Sequence, residues 1–263
     1  MKKAADGRPV LAEEVNEMLE PFIQEANREK NTARLLLQLQ SQDEYTFQHT
    51  INIGILAMVI GKWMKYSEQE SARLALAGTL HDIGKSKIPL HILNKPGPLT
   101  RVEFEIMKKH TILGYELLNS WGYEENIKLA VLQHHEREDG KGYPYRLKGE
   151  KIHPFAKIVA VSDIYHAMTS KRVYKGKISP FLVLDHLQKN IDNLNSEIVL
   201  TFIEHMLQYL QSCKAVLNDG RIGDIVHVNR NNIGFPLVKI SDSSTVIDLN
   251  KRRDIQIVDI VDS

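Results

Sequence analysis

Two histidines stand side by side, His134 and His135, at the head of the stretch HHEREDGKGYPYR, which ends on Arg146. Neighbours on a helix point about 100° apart, and only residues three or four apart share a face. An adjacent imidazole pair at the mouth of a glycine-rich loop therefore suits chance, a capped surface helix, or a metal site. Three more of the 11 histidines fall at suggestive places: His49, His81 in the pair His81-Asp82, and His110. Taken singly, each reads as a packed core or surface histidine. Together they lie within or at the ends of helical stretches, bordered by small or apolar residues such as Leu74, Ala75, Ala77 and Gly78. Buried imidazoles and carboxylates are costly unless paired or metal-bound, and a helical bundle collecting side chains from several helices is the usual way to hold such ions. One cysteine, Cys213, excludes an internal disulfide and a thiolate metal cluster. Any metal must take nitrogen and oxygen ligands.

The elements that would position these groups are mostly helices. Apolar spacing predicts helices over 11–19 and 22–39, with Pro21 starting the second. Ser41 and Glu44 form a capping-box pattern before a helix running through His49 to about Met64. Further helices are expected over 68–82, 101–120, 124–135, 158–170 and 179–211, with glycine- and proline-punctuated loops between them. From Asp219 to Val261 the pattern changes to short β-branched runs, IGDIVHV, FPLVKI, TVIDL and DIQIVDIV, which predict three or four strands.

Composition narrows the classes. A chain of 263 residues with 43% hydrophobic and 25% charged residues is an ordinary globular one, long enough for one well-buried domain plus something small, or for two modest domains. A net charge of +1 gives no nucleic-acid or membrane surface, and Lys251-Arg252-Arg253 is too short a basic run to make one. The best apolar run, Ile51 to Ile60, is too short to span a bilayer and reads as a core helix. Lys2 and Lys3 are followed by no apolar leader. A cytoplasmic location is expected.

The separated motifs resemble the HD-GYP domain of the HD phosphohydrolase superfamily. They are His49, HDIGK at His81–Lys85, LNKPGPLTRVEFEIMKKHT reaching His110, HHEREDGKGYP at His134–Pro144, and VSDIYHAMTSKRVY at Val161–Tyr174. The resemblance spans roughly residues 40–212 and implies a mainly α fold. It implies an HD-domain helical bundle over 41–213; the short N-terminal helical segment, 1–40, and the small β appendage, 214–263, lie outside the resemblance and are read from the apolar and β-branched patterns alone. The resemblance implies a metal-dependent phosphodiesterase that hydrolyses cyclic di-GMP to pGpG, GMP or both.

The resemblance also assigns roles. His49, His81, Asp82 and Asp163 match the set that holds one ion; His110, His134 and His135 match the histidines that hold a second, with Asp82 bridging. On this footing adjacent imidazoles make sense, because neighbouring corners of an octahedron need the divergence that neighbouring side chains have. Imidazole and carboxylate ligands suit several first-row metals; the family points to two divalent ions, iron first and manganese next. Two ions about 3.5–4 Å apart can share a hydroxide and grip phosphate oxygens. Lys85 and Arg172 match phosphate-binding cations, and Tyr143 of the GYP loop a guanine or ribose contact. Lys95, Pro96, Gly97, Thr100 and Glu103 match scaffold positions. Other implied partners are a diguanylate cyclase or another protein docking through the GYP loop, and a second copy of the chain.

The sequence departs from the family twice. Tyr45 stands where some members place a glutamate that binds a third ion, so two ions are expected. His166 replaces the second aspartate of the usual Asp-x-Tyr-Asp-Ala, which predicts slower turnover and leaves open a module that binds cyclic di-GMP or a partner without efficient hydrolysis. A phosphohydrolase of another cyclic dinucleotide is the remaining alternative.

Overall fold

The computed structural model describes residues 2–28, 32–39, 47–169 and 178–262. Helices fill the chain to residue 210: α1 (Lys2–Ala5), α2 (Ala12–Arg28), α3 (Thr32–Leu39), α4 (Phe47–Trp63), α5 (Glu68–Leu80), α6 (Leu90–Leu93), α7 (Arg101–Lys108), α8 (His110–Ser120), α9 (Glu125–Gln133), α10 (Pro154–Thr169), α11 (Pro180–Lys189) and α12 (Ser196–Leu210). Strands β1 (Cys213–Leu217), β2 (Ile222–His227), β3 (Leu237–Ile240), β4 (Val246–Asp248) and β5 (Ile257–Asp262) then form one antiparallel sheet in the order β4-β3-β2-β1-β5.

The centre of the bundle is α4. Every residue from Thr50 to Gly61 is buried, as expected of a helix that is apolar on all sides. It packs against α5, α10 and α12, with α2 and α3 across its outer side. The contact with α5 is made backbone to backbone: a Cβ at Gly78 would stand 2.8 Å from the Ile53 carbonyl oxygen and 2.9 Å from the Gly54 Cα. That approach is what sets His49 of α4 near His81, which caps α5. Among the described residues no helix is long and apolar enough to cross a membrane.

Several boundaries differ from expectation, for local reasons. Pro21 lies inside α2 instead of opening a helix. A proline costs one backbone hydrogen bond, and the buried Val15, Leu19 and Ala26 face holds the helix through it. The stretch 101–120 breaks at Lys109, so that His110 begins α8. The stretch 179–211 breaks where Asn195 accepts a hydrogen bond from the Ile198 N–H at 3.1 Å and caps a new helix. The helix over 124–135 ends at Gln133, which leaves both adjacent histidines beyond it. The sheet has five strands; β1 was hidden because no glycine or proline parts CKAVL from α12. The Ser41–Glu44 pattern lies outside the described residues. Capping boxes occur instead at Ser67/Glu70 and Thr100/Glu103. The second fixes two of the expected scaffold residues, and Lys95 joins it at 2.6 Å from Glu103.

Candidate metal centre

Six elements converge on one buried point. His49 comes from α4, His81 from the C-cap of α5, Asp82 from the N-cap of the following 3-10 turn (Ile83–Lys87), His110 from α8, His134 and His135 from the loop after α9, and Asp163 from α10. Gly84 lets the turn reach α8: a Cβ there would stand 1.9 Å from the His110 carbonyl oxygen, so no larger residue fits without moving backbone.

The donors fall into two groups. His49, His81 and Asp163 offer atoms within 4.8 Å of one another, and so do Asp82, His110, His134 and His135. Asp82 faces both. Its Oδ2 is 3.2 Å from His81 Nε2, and its Oδ1 is 3.3 Å from His110 Nε2. His81 Nε2 and Asp82 Oδ1 are buried without an aligned hydrogen-bond partner among the described residues.

Three imidazoles are oriented in one way. His81, His110 and His134 point Nδ1 at the carbonyls of Gly78, Met107 and Val131, at 2.7, 2.8 and 2.8 Å. A carbonyl only accepts, so each Nδ1 carries a proton; on the neutral rings of His110 and His134 the Nε2 then keeps a bare lone pair. His110 Nε2 and His134 Nε2 then face each other at 3.4 Å with no proton to share. Burial lowers the pKa values of His49, His110 and His134, and that of His135 to about 3, which keeps these rings neutral. Burial works against charge on His81 too, but Asp82 and Asp163 outweigh it and raise its pKa. For Asp82, burial resists ionisation, yet His81, Lys85 and His110 hold the carboxyl well below its usual range. Unpartnered nitrogen lone pairs around an ionised carboxylate are a donor set that fits divalent metal ions.

The other expected residues are distributed as follows. Lys85 Nζ lies 2.5 Å from Asp82 Oδ2, at the edge of the donor groups. Tyr143 lies against His135 with ring centroids 4.7 Å apart and the rings tilted by 31°. Arg172 and Tyr45 lie outside the described residues. His166 Nδ1 is 2.9 Å from His49 Nδ1.

A cavity of about 770 Å³ opens beside His134, His135 and Asp163. The GYP loop forms one wall, Phe104 and Lys108 of α7 another, and His186 of α11 with Asn190, which caps it, a third. Phe104 is 47% exposed, although it meets Tyr143 edge-on with centroids 6.4 Å apart.

Sequence reasoning missed two buried polar residues here. Glu136 accepts from the backbone N–H groups of Tyr145 and Leu147 at 2.7 and 3.0 Å, fixing the exit of the loop. Asn52 contacts His166. The signal for Asn52 was its place in the otherwise apolar run Ile51–Ile60, where a polar side chain needs a reason.

Comparison with known proteins agrees with this geometry. The family model described as "HD domain" matches residues 9–197. A cyclic di-GMP phosphodiesterase of Pseudomonas aeruginosa is 29% identical over 91% of this chain and 58% of its own length. A cyclic di-GMP phosphodiesterase of Thermotoga maritima is 46% identical over 51% of this chain and 37% of its own. The chain thus spans little more than half, or less, of the length of these curated relatives. A solved HDG"Y"P protein from Bdellovibrio bacteriovorus shares the fold, with a TM-score of 0.59 at 17% identity over 76% of this chain and 64% of that one. With its helical bundle, its gathered histidines and aspartates and its HHE…GYP loop, the chain belongs to the HD-domain family, in the HD-GYP branch.

Proposed function

We propose that this chain hydrolyses cyclic di-GMP to pGpG, GMP or both at a centre of two divalent ions, iron first and manganese next. The observation that carries the reading is the pair of donor groups meeting at Asp82, one carboxylate oxygen turned toward each. His49, His81 and Asp163 would hold one ion, His110, His134 and His135 the other, and Asp82 both. Divalent ions in such a pair supply Lewis acidity toward phosphate oxygens and make water acidic enough to attack at neutral pH.

The chain's own groups do the rest. Water oxygen bonds to phosphorus, the bond from phosphorus to the 3′ oxygen breaks, and a proton ends on that oxygen. Lys85, held at the rim by Asp82, meets a non-bridging phosphate oxygen and offsets its charge. Arg172 enters as a second phosphate contact on the strength of its motif alone. Tyr143, fixed against His135, borders a cavity of about 770 Å³, within the size range of small-molecule sites. The aromatic walls at Phe104 and Tyr143 suit a nucleobase, and Lys108 adds positive charge beside both rings.

The test is to incubate anaerobically purified, metal-loaded protein with cyclic di-GMP and with other cyclic dinucleotides, then chromatograph the products. Linear pGpG or GMP formed fastest from cyclic di-GMP supports the reading. Faster turnover of another dinucleotide reassigns the substrate, and binding without product overturns hydrolysis.

A further inference from the structure

His49 is the one imidazole of its donor group whose outer nitrogen meets a side chain. His81 turns Nδ1 to a carbonyl three residues back, as His110 and His134 do in the other group. His49 Nδ1 instead meets His166 Nδ1 at 2.9 Å, across 117 residues of sequence. On its far side, His166 Nε2 lies 3.2 Å from the Asn52 side-chain nitrogen. His166 is 5% exposed and Asn52 3%, so this chain of contacts sits inside the bundle.

Two ring nitrogens at that distance share one proton. If both were bare, their lone pairs would repel; if both were protonated, their hydrogens would clash. Two arrangements satisfy the chain. In the first, the Asn52 amide donates to His166 Nε2 and His166 Nδ1–H donates to His49 Nδ1. His49 then carries its own proton on Nε2, and that nitrogen cannot bind a cation. In the second, Asn52 turns its amide oxygen inward and accepts from His166 Nε2–H. His166 Nδ1 then accepts from His49 Nδ1–H, and His49 Nε2 is left bare.

We propose that His166 is a positioning residue for His49, supplying with Asn52 the acceptor that a backbone carbonyl supplies to His81, and that a cation among His49, His81 and Asp163 selects the second arrangement. This rests on reading that group as an ion site. Partners of this kind fix the tautomer and raise the basicity of the ligating nitrogen. His166 therefore does not replace the family aspartate with a defect. A carboxylate at this place could accept the same N–H, so the two residues perform one task.

The experiment measures Mn²⁺ binding to the full chain by calorimetry under anaerobic conditions. His166→Ala should weaken one of two sites about 10- to 100-fold and leave the other unchanged. His166→Asp should return that site to within a few-fold of the parent, and Asn52→Ala should weaken it in the same direction as His166→Ala. Because His166→Ala empties a buried position, a second measurement uses the unaltered chain. Nitrogen-15 imidazole spectra of the zinc-loaded protein should show the His166 proton on Nε2; a proton on Nδ1 overturns the inference. So does manganese binding indifferent to His166→Ala, or a His166→Asp variant as weak as His166→Ala. A parent that takes up no manganese overturns the ion site itself, and this inference with it.

Discussion

His110 and His134 point bare Nε2 atoms at each other across 3.4 Å, and each is locked there by a carbonyl behind it. Two lone pairs so placed repel unless a cation lies between or beside them. Protein purified anaerobically should therefore contain about two metal ions per chain. His110→Ala should lose one of them while the helical circular-dichroism spectrum stays that of the parent. Elemental analysis giving one ion in both proteins would show that this group is not a site.

Lys85 sits on Asp82 at 2.5 Å, 32% exposed at its side chain, so it faces the centre from the solvent side. Lys85→Ala should keep both ions. It should lower kcat/KM for cyclic di-GMP about ten- to hundredfold, the cost of one charge-assisted contact worth roughly 1.5–3 kcal/mol. A parent-like rate would reduce Lys85 to a surface cation paired with Asp82.

Gly84→Ala tests how the 3-10 turn is seated. The added Cβ would meet the His110 carbonyl oxygen at 1.9 Å and the Gly114 backbone nitrogen at 2.5 Å, neither of which can swing aside as a side chain can. Overpacking of this kind costs about 1–3 kcal/mol. Urea titration should show that loss, and metal content should fall with it, since Asp82 and His110 separate. Full stability with full metal content would mean that the two segments are not held in register by this contact.

Glu103 should leave a signature in acid. Hydrogen bonds from Lys95 and from the backbone and hydroxyl of Thr100 lower its pKa from 4.5 to about 2. A carboxyl whose folded pKa is depressed stabilises the fold above its unfolded pKa and loses that contribution as pH falls through the folded one. The contribution should be complete above pH 4.5 and gone near pH 2. Glu103→Gln should flatten that part of the curve of unfolding free energy against pH, and equal slopes in the two proteins would remove Glu103 from the account.

The helical bundle and the donor residues were legible because each motif carries its own chemistry. HDIGK and the adjacent histidines announce costly polar groups in apolar company, and the apolar run of α4 announces a central helix. What could not be read was contact between distant segments. Nothing near His166 in sequence says that it meets His49, because only the packing of α10 on α4 brings them together. Helix ends were misjudged where one apolar pattern runs through a break, as at Lys109 and at 190–195. Strand β1 escaped because only the turn residues Gln211 and Ser212, with no glycine or proline, part CKAVL from α12.

The contact of Tyr143 with His135 has a thermodynamic consequence. One short loop supplies two imidazoles of the proposed metal centre and a wall of the cavity, and Glu136 ties down its exit. If His134 and His135 hold an ion as proposed, a molecule settling against Tyr143 would bear on the ring beside it, and occupancy of the cavity and retention of the ions would be linked functions. Linkage is reciprocal: if a bound dinucleotide slows the escape of metal to a chelator, then metal must tighten the dinucleotide by the same factor. Under metal starvation such a chain would keep its ions longest where its ligand is abundant, and shed them first where the ligand has run out.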